Sequence, residues 1–209
     1  MTTIFLLNYG EDMMTDTQKK LDAVAQNLIN KHYKVHKAES VDEARIQILN
    51  IIGKDDIVGV GGSLTIRAVN IIEALISRGN KVIQHWLPEA TVEEVKEARR
   101  QAVRLSDVYL TSTNAITLAG DLINIDTYGN RVAAMIYGPK KVIIVAGYNK
   151  IMENTETAFA HIRDKTAVRN AMRLKIDNPK GFCKVATIIY DKPTDTDITI
   201  ILINNELGF

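Results

Sequence analysis

LTSTNAITLAGDLINIDTYGNRVAAMIYGPKKVIIVAGYNK, Leu110 to Lys150, is the stretch that decides the fold of this 209-residue chain. It sets short apolar runs between turn residues in the order strand, loop, helix, strand. The runs Val108–Leu110 and Leu122–Ile125 have strand length. Between them lies a polar loop holding Thr111, Ser112, Thr113, Asn114 and Thr117, closed by Gly120 and Asp121 as a turn pair. Past Asp126 and Gly129, Asn130 is a candidate N-cap for a short helix, Arg131–Tyr137, which Gly138 and Pro139 stop. Lys140 and Lys141 lead into a buried-strand pattern, Val142–Ala146, that ends at Gly147. Asn149 and Lys150 then lie just past the strand's carboxyl end, where open α/β sheets bind ligands.

Working towards the N-terminus, Thr91 and Glu94 form a capping box for a helix with Val95, Ala98, Ala102 and Leu105 on one face. Its other face, Glu93, Glu97, Arg99, Arg100 and Arg104, reads as solvated. Strands are expected at Tyr33–Ala38, Ile57–Val60 and Lys81–Gln84. Helices are expected at Val41–Ile52 and from Leu64 through Leu75 to a stop at Gly79. Thr15 and Gln18 make a further capping box for a helix that ends near Lys31. On the C-terminal side, a helical stretch runs from about Asn154 to Lys175 with a break predicted near Thr166. Two strands, Lys184–Tyr190 and Asp197–Ile203, then read as an antiparallel pair joined by the turn DKPTDT. Strands that alternate with helices predict an α/β three-layer sandwich with a mostly parallel sheet. No linker-like composition divides the chain, so one domain over 1–209 is expected, with an N-terminal helical segment at about 11–31.

A 46% apolar composition is ample for a core, and Lys and Arg number 26 against 25 for Asp and Glu. The resulting formal charge of +1 offers no field attractive to nucleic acid or to an anionic membrane. Ile4–Leu7 is far too short an apolar run to span a bilayer, and a cytoplasmic location is expected. The single cysteine, Cys183, excludes an intramolecular disulfide and cannot alone hold a zinc ion or an iron–sulfur cluster. His32 and His36 are four apart but fall in a strand pattern, where that spacing spans about 13 Å. No metal or cofactor is therefore expected.

GVGGS, Gly59–Ser63, lies where a strand turns into a helix, and Gly61, Gly62 and Ser63 are candidate anion-binding residues; the plain alternative is a tight turn with Ser63 as N-cap. Neither the dinucleotide fingerprint nor a Walker loop is met: Leu64 replaces the third glycine, and no Gly-Lys-Ser/Thr follows. Asp126 is the candidate catalytic carboxylate, as base or nucleophile. Its alternative is a carboxylate that caps the turn into the following helix. Thr113, Asn114, Thr117, Asn130, Arg131, Asn149 and Lys150 complete the candidate set, each able to orient or pair with an anionic substrate.

The strings TSTNAIT, GDLINIDTYGNRVAAMIYGPKKVIIVAGYNK and GVGGS resemble the LUD-domain family, the lactate utilisation protein C type, over roughly Asp16–Phe209. The resemblance implies a fold similar to ribose phosphate isomerases and CoA transferases. It also implies a role in oxidising lactate to pyruvate beside partner proteins that hold iron–sulfur redox centres. Many relatives carry several cysteines in the segment that here reads NPKGFCKVAT, so this chain departs from them. Two other readings stay open: a stand-alone isomerase or acyl or CoA transferase acting on a phosphorylated or carboxylated small molecule, and a non-catalytic metabolite-binding subunit. Homo-oligomerisation is open as well.

Overall fold

The computed structural model describes residues 9–209, and within that span every side chain except those of residues 9–15 and Lys180. The apolar run Ile4–Leu7 lies outside the described residues. The first half contains α1 (Tyr9–Asn30), β1 (Lys34–Ala38), α2 (Val41–Ile51), β2 (Val58–Val60), α3 (Leu64–Ala68), α4 (Ile71–Arg78), β3 (Val82–Ile83) and α5 (Val92–Arg104). The second half contains β4 (Val108–Thr111), β5 (Ala115–Thr117), β6 (Leu122–Asp126), α6 (Asn130–Tyr137), β7 (Lys141–Gly147), β8 (Ile151–Met152), α7 (Thr155–His161), α8 (Ala167–Leu174), β9 (Val185–Ile189) and β10 (Asp197–Ile203).

Six strands form a central sheet in the order β1-β10-β7-β4-β2-β3, every neighbouring pair parallel. A parallel strand in the middle of such a sheet must be apolar on both faces, because side chains alternate and helices cover each side. In β7, Val142, Ile144 and Ala146 enter a core with Leu21 and Leu28 of α1, Ala102 of α5 and Met135 of α6. Ile143 and Val145 point the other way, onto Ile48 of α2, Ile66 of α3, and Ile71 and Leu75 of α4. The result is an α/β architecture with a mostly parallel sheet between two helical layers.

A second sheet, β8-β5-β6-β9, was not foreseen from the sequence. Its Ile116, Leu122 and Ile189 join the core beneath α1, while Ala115 and Ile123 pack against Ala158 and Ile162. Each face of this small sheet is thus buried against helix. Part of the stretch read as a polar loop is therefore strand: β5 pairs antiparallel with β6 across the Gly120–Asp121 turn, with Gly120 at φ +86°.

Four further expectations are corrected. The last two strands do not form a hairpin: β9 pairs antiparallel with β6 in the small sheet, whereas β10 runs parallel between β1 and β7. The run from Ile198 to Ile203 is buried throughout, which only a central position with both faces covered can satisfy. The turn between them bridges two sheets; the Lys192 ammonium donates to Pro193 O at 2.9 Å and Thr196 O at 3.2 Å. The helix expected from Leu64 to Leu75 is two helices, broken where Asn70 takes left-handed backbone at φ +53°. Arg45 Nε donates to the carbonyl of Val69 at 2.7 Å there, satisfying an oxygen at the break. Thr15 and Gln18 lie inside α1 rather than at its start. The break predicted near Thr166 is a π-helical turn, Ile162–Thr166, through which α7 runs on into α8.

Candidate functional site

β2, β4 and β7 point the same way, so the segments after their carboxyl ends converge. Gly62 and Ser63 follow β2, Ser112 to Asn114 follow β4, and Lys150 closes the short 3₁₀ turn Tyr148–Lys150 after β7. They line a cavity of about 430 Å³, completed by Asp126, Asn130 and Arg131 at the start of α6 and by residues of α5, α8 and the segment between α8 and β9. That volume suits a metabolite-sized or cofactor-sized ligand.

Arg131 is the hub of its polar wall. Its guanidinium donates to Asp126 Oδ1 through Nε at 2.8 Å and also through Nη2, to Asn114 Oδ1 at 2.6 Å, to Ile125 O at 3.1 Å and to Ser112 O at 3.3 Å. Asp126 Oδ2 accepts from the Val132 N–H at 3.2 Å, an orphan donor of α6. Gly129, at φ +77°, occupies the N-cap position of α6 and carries no side chain to cap it. Asn130 is thus the first helical residue rather than the cap expected, and Asp126 caps from four residues upstream. Both carboxylate oxygens are engaged and the residue is only 8% exposed. Asn114 is equally committed, its Oδ1 also accepting from Ile125 N at 2.9 Å.

Lys150 presents the opposite case. It is 4% exposed, lines the cavity, and among the described residues its ammonium has no hydrogen-bond or ion-pair partner. Burial, and then the positive charge of Arg131, lower its pKa to about 8. The wall also holds Arg99 and Arg173, while Asp126, already paired, is its only acidic side chain among the described residues. Among the described side chains of the wall, positive charges therefore outnumber negative ones. His85 adds no positive charge at neutral pH, because burial, Arg99 and Arg67 push it down to about 4.

Eight of the eleven candidate residues meet at the cavity: Gly62, Ser63, Thr113, Asn114, Asp126, Asn130, Arg131 and Lys150. Three do not line it. Gly61 lies behind the wall, where a Cβ would stand 2.9 Å from Thr111 Oγ1 and 3.1 Å from the Tyr109 hydroxyl, so its role is close packing. Thr117 binds the Asp121 carboxylate and N–H at the β5–β6 turn. Asn149 Oδ1 accepts from Leu207 N at 3.0 Å and fixes the C-terminal segment. Ser63 does cap α3, accepting from Ile66 N at 3.3 Å.

The sequence reading missed His85, Trp86, Tyr128, Thr166, Asn170, Arg173 and Phe182 on the wall, and placed Arg99 on a solvated helix face. The Arg99 guanidinium lies 4.2 Å above the Tyr128 ring, and that of Arg67 lies 3.9 Å above Trp86. No local pattern signals such pairs, which join segments distant in sequence. Cys183 also lines the cavity, its thiol pKa raised chiefly by burial. Among the described residues no three His, Cys, Asp or Glu side chains gather as a metal-ligand set.

The family model of the LUD domain matches residues 21–203. A crystal structure of a DUF162 family protein from Deinococcus radiodurans is similar over 90% of this chain and 98% of that one, with a TM-score of 0.56 at 13% identity. At that identity the likeness concerns the fold alone. No curated protein matches the sequence significantly.

Proposed function

The chain belongs to the LUD-domain family, which is associated with lactate utilisation, and from that premise we propose that its cavity binds a small anionic metabolite in support of lactate oxidation to pyruvate. One observation carries the reading: the buried Lys150 ammonium has no partner among the described residues, in a wall whose only acidic side chain among them is already neutralised. A buried cation without a counterion is costly, and a carboxylate or phosphate supplied by a ligand removes that cost. Arg131, held rigid by five acceptor contacts, presents a fixed positive edge beside it. Asp126 in this reading positions Arg131 and caps α6 rather than taking a proton from substrate. Electron transfer falls to partner proteins that carry iron–sulfur centres.

The test is a thermal-shift screen of hydroxy acids, 2-oxo acids, sugar phosphates and CoA esters at low salt. At least one anion should raise the melting temperature saturably. Flat responses across the panel would contradict the reading.

A further inference from the structure

We infer that Lys150 is a nucleophilic amine that forms an imine with an anionic carbonyl compound bound in the cavity. This rests on the anion-binding reading above and names the chemical class of its ligand. A lysine that serves only as a charge is most useful when hydrated or paired, where it stays protonated. Lys150 has no such partner among the described residues: it is nine-tenths buried and faces a cavity rather than a carboxylate. The charged groups around it act against protonation as well. Arg131 of α6 repels the ammonium, and His161 of α7, whose own pKa is lowered partly by Lys150, offers no negative charge. Desolvation and a cationic neighbour are the two means by which proteins prepare a lysine for attack on carbonyls. With the pKa near 8, a useful fraction of the amine is free at neutral pH.

The step balances without any oxidant. The neutral Nζ bonds to the carbonyl carbon and one amine proton passes to the oxygen, giving a carbinolamine. The C–O bond then breaks, the oxygen leaves as water with a second proton, and the C=N bond forms. Arg131, with the positive charge of Arg99 on the same wall, holds the anionic group of the ligand and so fixes the carbonyl beside Nζ.

The experiment uses pyridoxal 5′-phosphate, an anionic aldehyde, with sodium cyanoborohydride to trap the imine, followed by peptide mapping. Pyridoxal without its phosphate serves as the neutral control. The expected result is one dominant adduct on Lys150, formed at least about 10-fold faster than on any other lysine, slowed by inorganic phosphate and slower with pyridoxal. Lys150→Arg should abolish it while retaining the stabilisation by inorganic phosphate. Lys150→Met, which removes the buried charge and is the safer variant for folding, should abolish both. Labelling spread over surface lysines with Lys150 unmodified would overturn the inference. If inorganic phosphate still stabilises the wild type in that case, anion binding survives and only the imine is lost; if it does not, the proposed function falls too.

Discussion

Lys150 is the residue on which the energetics turn. Lys150→Met should raise the stability of the ligand-free protein by about 1–3 kcal/mol, since it removes a buried charge without a partner. The pH dependence has a definite sign. The folded pKa of about 8 lies below the unfolded value of 10.5, so between these pH values the unfolded chain holds the proton and the folded one does not. Stability should therefore rise with pH across that window, with the penalty complete below about pH 8, and melting curves of Lys150→Met should lack the rise. His85 gives a second window. Its folded pKa of about 4 lies below 6.5, so stability should fall as pH drops from 6.5 towards 4, and His85→Gln should remove roughly 1–2 kcal/mol of that loss. Asp126→Asn leaves the Arg131 guanidinium without its counterion where both side chains are largely buried. A loss of about 1–3 kcal/mol in denaturant unfolding is expected.

At the scale of elements, β2 and the turn that follows it separate close packing from the cavity wall. Gly59 lies against α5, and a Cβ there would stand 2.3 Å from the backbone oxygen of Ala102 and 2.5 Å from Ser106 Oγ. Gly59→Ala should cost about 3 kcal/mol, because a backbone contact cannot give way. At Gly62 the added atom would meet side chains of the cavity wall, the His85 ring at 3.2 Å and Trp86 Cζ2 at 3.9 Å. Gly62→Val should leave the fold largely intact and weaken anion binding, as paired chemical unfolding and binding titrations would show. Elements whose cause is local were legible from the sequence: the Thr91–Glu94 capping box, the doubly buried run of β7 and the Gly138–Pro139 stop. Those decided by remote partners were not: β10 left β9 because a strand buried throughout must lie between two others. The capping of α6 by Asp126 rather than Asn130 stands between the two, since it was one of two roles open for that carboxylate. Remote partners are also why the sequence reached the residues after β4 and β7 but missed Arg99 and Tyr128, which meet only once α5 and the β6–α6 turn are packed.

For the whole molecule, a chain with a formal charge of +1 and no helix among the described residues long and apolar enough to cross a membrane gathers Arg99, Arg131, Arg173 and Lys150 along one cavity wall. Ordinary surface pairs, such as Lys20 with Asp16 and Lys96 with Glu93, are exposed and contribute little. Three parallel strands deliver Ser63, Ser112 and Lys150 to the same end of the sheet, and the second sheet with α6 closes the far side of the cavity. The fold thereby holds cations together that would repel one another in a flexible chain, and a bound anion should relieve that repulsion. Isothermal titration of the most stabilising anion from the screen into the wild type and Lys150→Met tests this most directly. The account predicts saturable one-site binding to the wild type, weaker at higher ionic strength, and at least about a 10-fold rise in Kd for Lys150→Met. Equal affinity in the two proteins would contradict it.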